Sequence, residues 1–183
     1  MTMLEGLMTV EDFEAFTELP ENADKVFEFI GGEIIEMPSN PYVSKLAARI
    51  IVLIGMYLLK NDIGHITGEA GGYMVSGERY APDVAFISYE KQPELAKKGY
   101  NPNPPDLAVE ILSSNRSDEY DSLRIKIFNY LAAGTTVWVV VPDKKVVEVY
   151  QVGQAVKVLL EKDTLTADNI LPNFTLAIAD IFD

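Results

Sequence analysis

Apolar positions recur along this chain in two periods, and the changes between them mark its elements. Thr9 followed by Asp12 predicts a capped helix over residues 10–18, ending before Pro20. VFEFI and EIIEM flank Gly31-Gly32, the pattern of a β-hairpin. Asn40-Pro41 pairs an N-cap with a first-turn proline and opens a helix to about residue 60. Its apolar residues run almost all the way round, so both of its sides should be covered. Residues 65–75 and 79–88 read as two strands joined by a Ser76-Gly77 turn. Residues 89–105 carry Pro93, Pro102, Pro104 and Pro105 and read as a loop. DLAVEIL, at 106–112, is an apolar run of the kind buried on both faces of a sheet.

A helix over 118–133 follows and should stop at Gly134. Strands are expected at 136–141, 145–151 and 155–161, with turns at Pro142-Asp143 and Gly153. The tail, ILPNFTLAIADIF, predicts a short strand or loop and a final helical turn. There is no internal repeat, low-complexity tract or linker. The order of hairpin, helix, three strands, helix and strands predicts an α/β (α+β) layer structure with a mixed sheet and not a regular βαβ repeat.

A length of 183 residues predicts one domain spanning 1–183. The absence of cysteine excludes a disulfide framework, a thiolate metal site and a cysteine nucleophile. The single histidine, His65, excludes any site that needs two from one chain, and a structural role is the plainer reading of it. The balance of 15 Lys and Arg against 28 Asp and Glu gives a charge of −13. Such a surface repels phosphate backbones and acidic membranes at long range. The chain start lacks a basic end and a continuous apolar run, and the apolar stretch at 46–59 is shorter than a bilayer span, so a cytoplasmic protein is expected.

Three positions carry candidate chemistry. Asp83 follows Pro82 at the entry to a β run, and Glu110 sits among Val109 and Ile111 in an apolar strand. A carboxylate in a buried strand costs several kcal/mol unless a cation compensates it. A divalent cation shared with a second carboxylate would do so, and so would a lysine. Two carboxylates on neighbouring strands form a hard-oxygen site suited to Mg²⁺ or Mn²⁺. Lys126 shares a helical face with Ser122 and Tyr130, and the segment from Glu110 to Lys126 leaves room for a turn and two helical turns back. The plainer readings are a turn cap for Asp83, a water-facing strand residue for Glu110 and a solvated lysine. Trp138 reads as core or interface, Gly71-Gly72 as a bulge or close packing in preference to a phosphate nest, and Glu69 beside it as a weak metal-site acid.

FEFIGGEIIEM, APDVAFIS, DLAVEILSSN, Lys126 with Tyr130, Ala133 and Gly134, and VWVVVPD followed by VVEVYQ occur in this order from about Thr9 to Phe182. In that arrangement the chain resembles the Uma2 (DUF820) family of bacterial restriction-endonuclease-like proteins. The resemblance implies a PD-(D/E)xK nuclease fold: a central mixed sheet flanked by helices, with an N-terminal hairpin and frequent dimerisation. It places the metal-binding carboxylates on Asp83 and Glu110. The signature lysine two positions after the second acid is Leu112 here, which moves the expected lysine to Lys126 on the next helix. The E-x-x-x-G-E segment falls on Glu28 and Glu33, two further candidate acids. The histidine many members carry near the start of the long helix is missing from NPYVSK.

The function so implied is a Mg²⁺- or Mn²⁺-dependent phosphodiesterase acting on nucleic acid, DNA first. The alternative is a nuclease fold retained as a binding or assembly module, which the missing signature lysine and the acidic charge favour. A serine hydrolase has no support, because there is no G-x-S-x-G. Nucleic-acid binding would need a local basic patch, for which Lys91, Lys97, Lys98, Arg116 and Arg124 are the clustered candidates. A homodimer is expected to cover apolar edges of strand 136–141 and the hairpin after it.

Overall fold

The computed structural model describes residues 8–22, 25–36, 40–113 and 117–183. Helix α1 (Val10–Thr17) begins at Thr9, whose side chain and that of Asp12 form a reciprocal capping box. Strands β1 (Phe27–Ile30) and β2 (Glu33–Glu36) form the hairpin. Gly31 and Gly32 have φ of 60° and 87°, the left-handed pair that a tight two-residue hairpin turn requires. Helix α2 (Pro41–Leu58) is capped by the Asn40 side chain, which accepts from the backbone N–H groups of Tyr42 and Val43.

The next two predicted strands are each broken in two. Residues 65–75 become β3 (Gly64–Gly68) and β4 (Tyr73–Val75), and 79–88 become β5 (Glu78–Tyr80) and β6 (Val84–Ser88). The breaks fall at Gly71-Gly72 and at Pro82, which has no N–H to continue a ladder. At both breaks the chain passes between a four-stranded sheet, ordered β2-β1-β5-β4, and a six-stranded sheet. A Cβ on Gly72 would lie 2.4 Å from the Tyr100 ring, so the glycine pair serves close packing.

Then come β7 (Leu107–Ile111), α3 (Ser117–Ala132), β8 (Thr136–Val141), β9 (Val146–Tyr150), β10 (Lys157–Leu159), β11 (Thr164–Thr166), β12 (Thr175–Ala177) and α4 (Ala179–Phe182). The six-stranded sheet runs β10-β9-β8-β7-β6-β3, and only β7 and β8 are parallel, so it is mixed as expected.

Period-two alternation sorts the large sheet's side chains between two layers. Val84, Phe86, Val109 and Trp138 meet α2 and the β11–α4 tail, where Trp138 stacks on Phe174. Ala85, Ala108, Val137 and Val139 face α3 and the small sheet. The small sheet sorts its own faces likewise: Phe27 and Phe29 pack on Phe13 of α1, while Ile30 joins the layer under α3. All four residues of β1 are buried because both faces are covered.

Two expectations fail. The α2 helix buries a single stripe, Leu46, Ala47, Ile50 and Ile54, and leaves Val52 and Met56 more than half exposed. By length and composition alone it could cross a membrane, yet that stripe belongs to the core under the sheet. Strand β8, at 136–141, offers no apolar edge, since it lies between β7 and β9 with all six residues buried. The edges of the large sheet are β10 and β3.

Two glycines test this packing. A Cβ on Gly64 would fall 2.4 Å from the Ile87 carbonyl oxygen, whereas one on Gly55, inside α2, would meet nothing within 4 Å. Chemical denaturation should show Gly64→Ala destabilised by about 1–3 kcal/mol. Gly55→Ala should be stabilised by about 1 kcal/mol.

Candidate active site

Backbone register brings the two candidate carboxylates together. Val84 pairs with Val109 and Ala85 with Ala108, which carries Asp83 opposite Glu110 at the end of the β6–β7 ladder. Both residues are 7% exposed. Asp83 Oδ2 accepts the Ile111 backbone N–H at 2.7 Å, so the carboxylate is fixed against the strand it faces.

Lys126 arrives from above. It lies on the α3 face that meets the large sheet, and only 4% of it is exposed. Its Nζ donates to Glu110 Oε2 at 2.6 Å and to Glu28 Oε1 at 2.8 Å. The same Glu28 oxygen accepts the Ala81 backbone N–H at 2.8 Å. Alternation along β1 explains the reach of Glu28: Phe27 and Phe29 point to α1, so Glu28 points the other way, with Ile30, toward α3.

One helical turn beyond Lys126, the Tyr130 hydroxyl donates to Glu110 Oε1 at 3.0 Å. Both oxygens of Glu110 are therefore bonded to side chains of α3. Behind them the Asn129 amide donates to Glu78 and to the Tyr80 hydroxyl, which itself donates to Glu78. The other Glu78 oxygen accepts the Gly31 N–H at 2.8 Å, so this second network locks the hairpin turn to α3.

These groups open on a cavity of about 530 Å³. Ile30, Ile35, Val43, Ile111, Leu112 and Leu123 supply its apolar wall, and Ser122 also lines it. Among the described residues its carboxylates are Glu28, Glu33, Glu36, Asp83, Glu110 and Glu119, against the one ammonium of Lys126. Glu33 is exposed at the cavity and meets none of the buried trio in a hydrogen bond. Glu69 is exposed outside the lining, though its charge helps to raise the Asp83 pKa.

Among the described residues, none of the basic-patch candidates lines the cavity. Lys91 pairs with Asp106 at 3.4 Å and Arg124 with Asp121 at 3.0 Å. Lys97 and Lys98 are exposed on the 89–105 loop and line no part of the cavity. Arg116 lies outside the described residues. His65 takes a structural place: its Nε2–H donates to the Pro93 carbonyl and its ring stands edge-on to Tyr89.

Burial is the largest influence on the acids' titration. It pushes the Asp83 carboxyl up to about 6, against the Ile111 N–H bond and Lys126, which favour the charged form. Burial raises Glu110 too, helped by the Glu28 and Asp83 charges and opposed by Lys126. For Lys126, burial alone would favour the neutral amine, but Glu110 and Glu28 outweigh it and hold the ammonium well above its usual range. The Tyr130 hydroxyl is raised by burial and by the carboxylates beside it, so it stays a donor.

The donor set decides which ion the site suits. Among the described residues, no three or more His, Asp or Glu side chains gather in cation-binding geometry. Two oxygen donors on adjacent strands fit Mg²⁺ or Mn²⁺, which take one or two carboxylates and keep several waters, and do not form an all-protein cage.

Comparisons with known proteins agree with this architecture. The family model Uma2, described as "Putative restriction endonuclease", matches residues 11–179. The chain belongs to the Uma2 family. A crystal structure of "a putative nuclease belonging to DUF820 from Anabaena variabilis ATCC 29413" is similar, with a TM-score of 0.79 and 23% identity, over 96% of this chain and 97% of that one. That likeness establishes the shared fold, a central mixed sheet flanked by helices. A comparison with curated proteins found no match.

Within this Uma2 chain, Asp83, Glu110, Lys126 and Glu28 come together, and Glu33 stands apart at the cavity's exposed side. Sequence reasoning missed the bonds made by Tyr130 and the Ala81 N–H. The four-residue spacing of Lys126 and Tyr130 was a signal for the first; nothing local signalled the second.

The Asp83 shift has a sign. Its folded pKa exceeds its unfolded one, so its stabilising contribution is complete below about pH 4 and is lost as pH rises through about 6. In chelator-treated buffer, Asp83→Asn should remove that part of the fall in thermal stability between pH 4 and 6, read as melting temperature against pH.

Proposed function

We propose that this protein is a divalent-metal-dependent endonuclease that hydrolyses phosphodiester bonds in nucleic acid, with DNA as the expected substrate. The observation that carries the reading is the convergence of Asp83, Glu110 and Lys126 on one cavity, in a chain of a family described as endonucleases. In this reading Asp83 and Glu110 hold Mg²⁺ or Mn²⁺. When bound, such an ion lowers the pKa of a water and polarises the scissile phosphoryl group.

The rest of the mechanism belongs to the chain's own groups. The Ile111 N–H and the Tyr130 hydroxyl fix the two carboxylates, so no reorganisation is required as charge develops. Lys126 offers an ammonium with three donors, and a donor not engaged by a carboxylate can orient the attacking water or stabilise a phosphoryl oxygen. A duplex substrate would call for two sites, which a symmetric dimer supplies; with β8 interior, that dimer would form elsewhere than at 136–141.

A second reading, a nuclease fold kept as a binding or assembly module, is favoured by the cavity's six carboxylates against the single ammonium of Lys126 among the described lining residues. Plasmid and single-stranded DNA cleavage assays in Mg²⁺ and Mn²⁺ separate the two. Cleavage should fall by roughly 10²–10⁴-fold in Asp83→Ala and in Glu110→Ala with the fold intact, the range for loss of a catalytic electrostatic or acid–base group. Lys126→Ala should bind DNA without turning it over, and wild-type cleavage by that variant would remove Lys126 from the mechanism. Absence of both cation affinity and cleavage in the parent protein would establish the module instead.

A further inference from the structure

Lys126 occupies one of the two Glu110 oxygens open to a cation. Its Nζ is 2.6 Å from Glu110 Oε2, and Tyr130 occupies Oε1. The ammonium has a second anchor in Glu28, 2.8 Å away, and that anchor does not depend on it, because the Ala81 N–H holds the same Glu28 oxygen. Glu28 is 2% exposed and has little water to replace a lost ammonium. The Tyr80 ring, with its centroid 5.7 Å from Nζ, adds a wall that attracts cations. With all four groups ionised, three carboxylates and one ammonium leave a local charge of −2, which one divalent cation balances.

We propose that Lys126 is a resident counter-cation that exchanges: it releases Glu110 to an incoming divalent ion and stays in the site on Glu28. The inference rests on the reading of Asp83 and Glu110 as the metal-holding pair. It assigns Glu28 a positioning role, neither ligand nor catalyst, exerted through the lysine. The four-carbon stem lets Nζ shift between two carboxylates while the helix stays in place. Retention on Glu28 keeps the amine beside the reacting centre and prevents its loss to solvent.

Isothermal titration calorimetry with Mn²⁺ and Mg²⁺ tests this without reference to activity. Lys126→Met removes the competitor, so affinity should rise about tenfold or more, equivalent to about 1.4 kcal/mol. Glu28→Gln keeps an acceptor for the Ala81 N–H but removes the negative charge that anchors the lysine, so affinity should fall by a similar factor. In Lys126→Met/Glu28→Gln the Glu28 effect should vanish, because it acts through the lysine. A merely structural role would lower affinity in both single variants. Unchanged or weaker binding in Lys126→Met overturns the exchange, as does a Glu28 effect that persists undiminished without the lysine. If Lys126→Met does not fold by circular dichroism, Lys126→Gln replaces it with the same expectation. Should the folded parent bind neither ion, the metal-holding pair itself fails; binding that Asp83→Asn abolishes while Lys126→Met leaves unchanged fails the exchange alone.

Discussion

The structure around the cavity depends on one buried ammonium held between two buried carboxylates. Lys126, Glu28 and Glu110 are each at least nine-tenths buried, so each would be strongly disfavoured alone. Together they satisfy one another, and Ala81 N–H and Tyr130 take up further lone pairs. Removing any one partner strands the others, a loss of about 3–5 kcal/mol for a broken buried pair. The same contacts join three elements distant in sequence: β1, β7 and α3.

That junction lies where the two sheets meet. The chain passes from the small sheet to the large one through residues 81–83, and those three residues supply the N–H that Glu28 accepts, the proline break and the Asp83 carboxylate. Backbone geometry and site chemistry are thus set by the same short segment. The Glu78–Tyr80–Asn129 network repeats the tie on the outer side of α3 and pins the hairpin turn. The cavity's shape therefore follows from how firmly the small sheet is fastened to that helix.

Much of this was legible in the residues. Helix starts at Thr9 and Asn40, the Gly31-Gly32 hairpin and the Gly134 stop are local signals, and the structure follows each. The acids and the lysine stood out because Glu110 interrupts an apolar strand and Lys126 shares a face with Tyr130. The sheet crossings were not legible, since a period-two pattern continues through a break and does not record which sheet a strand joins. Coverage of α2 was misread because apolar residues all round a helix do not imply partners all round it: Val52 and Met56 are exposed. Pairing of the basic residues was not legible either, because closeness in sequence says nothing of it: Lys91 and Arg124 each already have a carboxylate.

The clasp also constrains the order of folding. Glu28 precedes Lys126 by 98 residues, so a chain emerging from the ribosome presents the acid long before its base. Until α3 is made, that carboxylate has no ammonium to balance it. Contacts of such long range slow folding, because loop closure comes before any reward. The hairpin can pair with β5 and give Glu28 the Ala81 N–H before α3 exists, so what α3 adds last is the charge that the buried acid lacks.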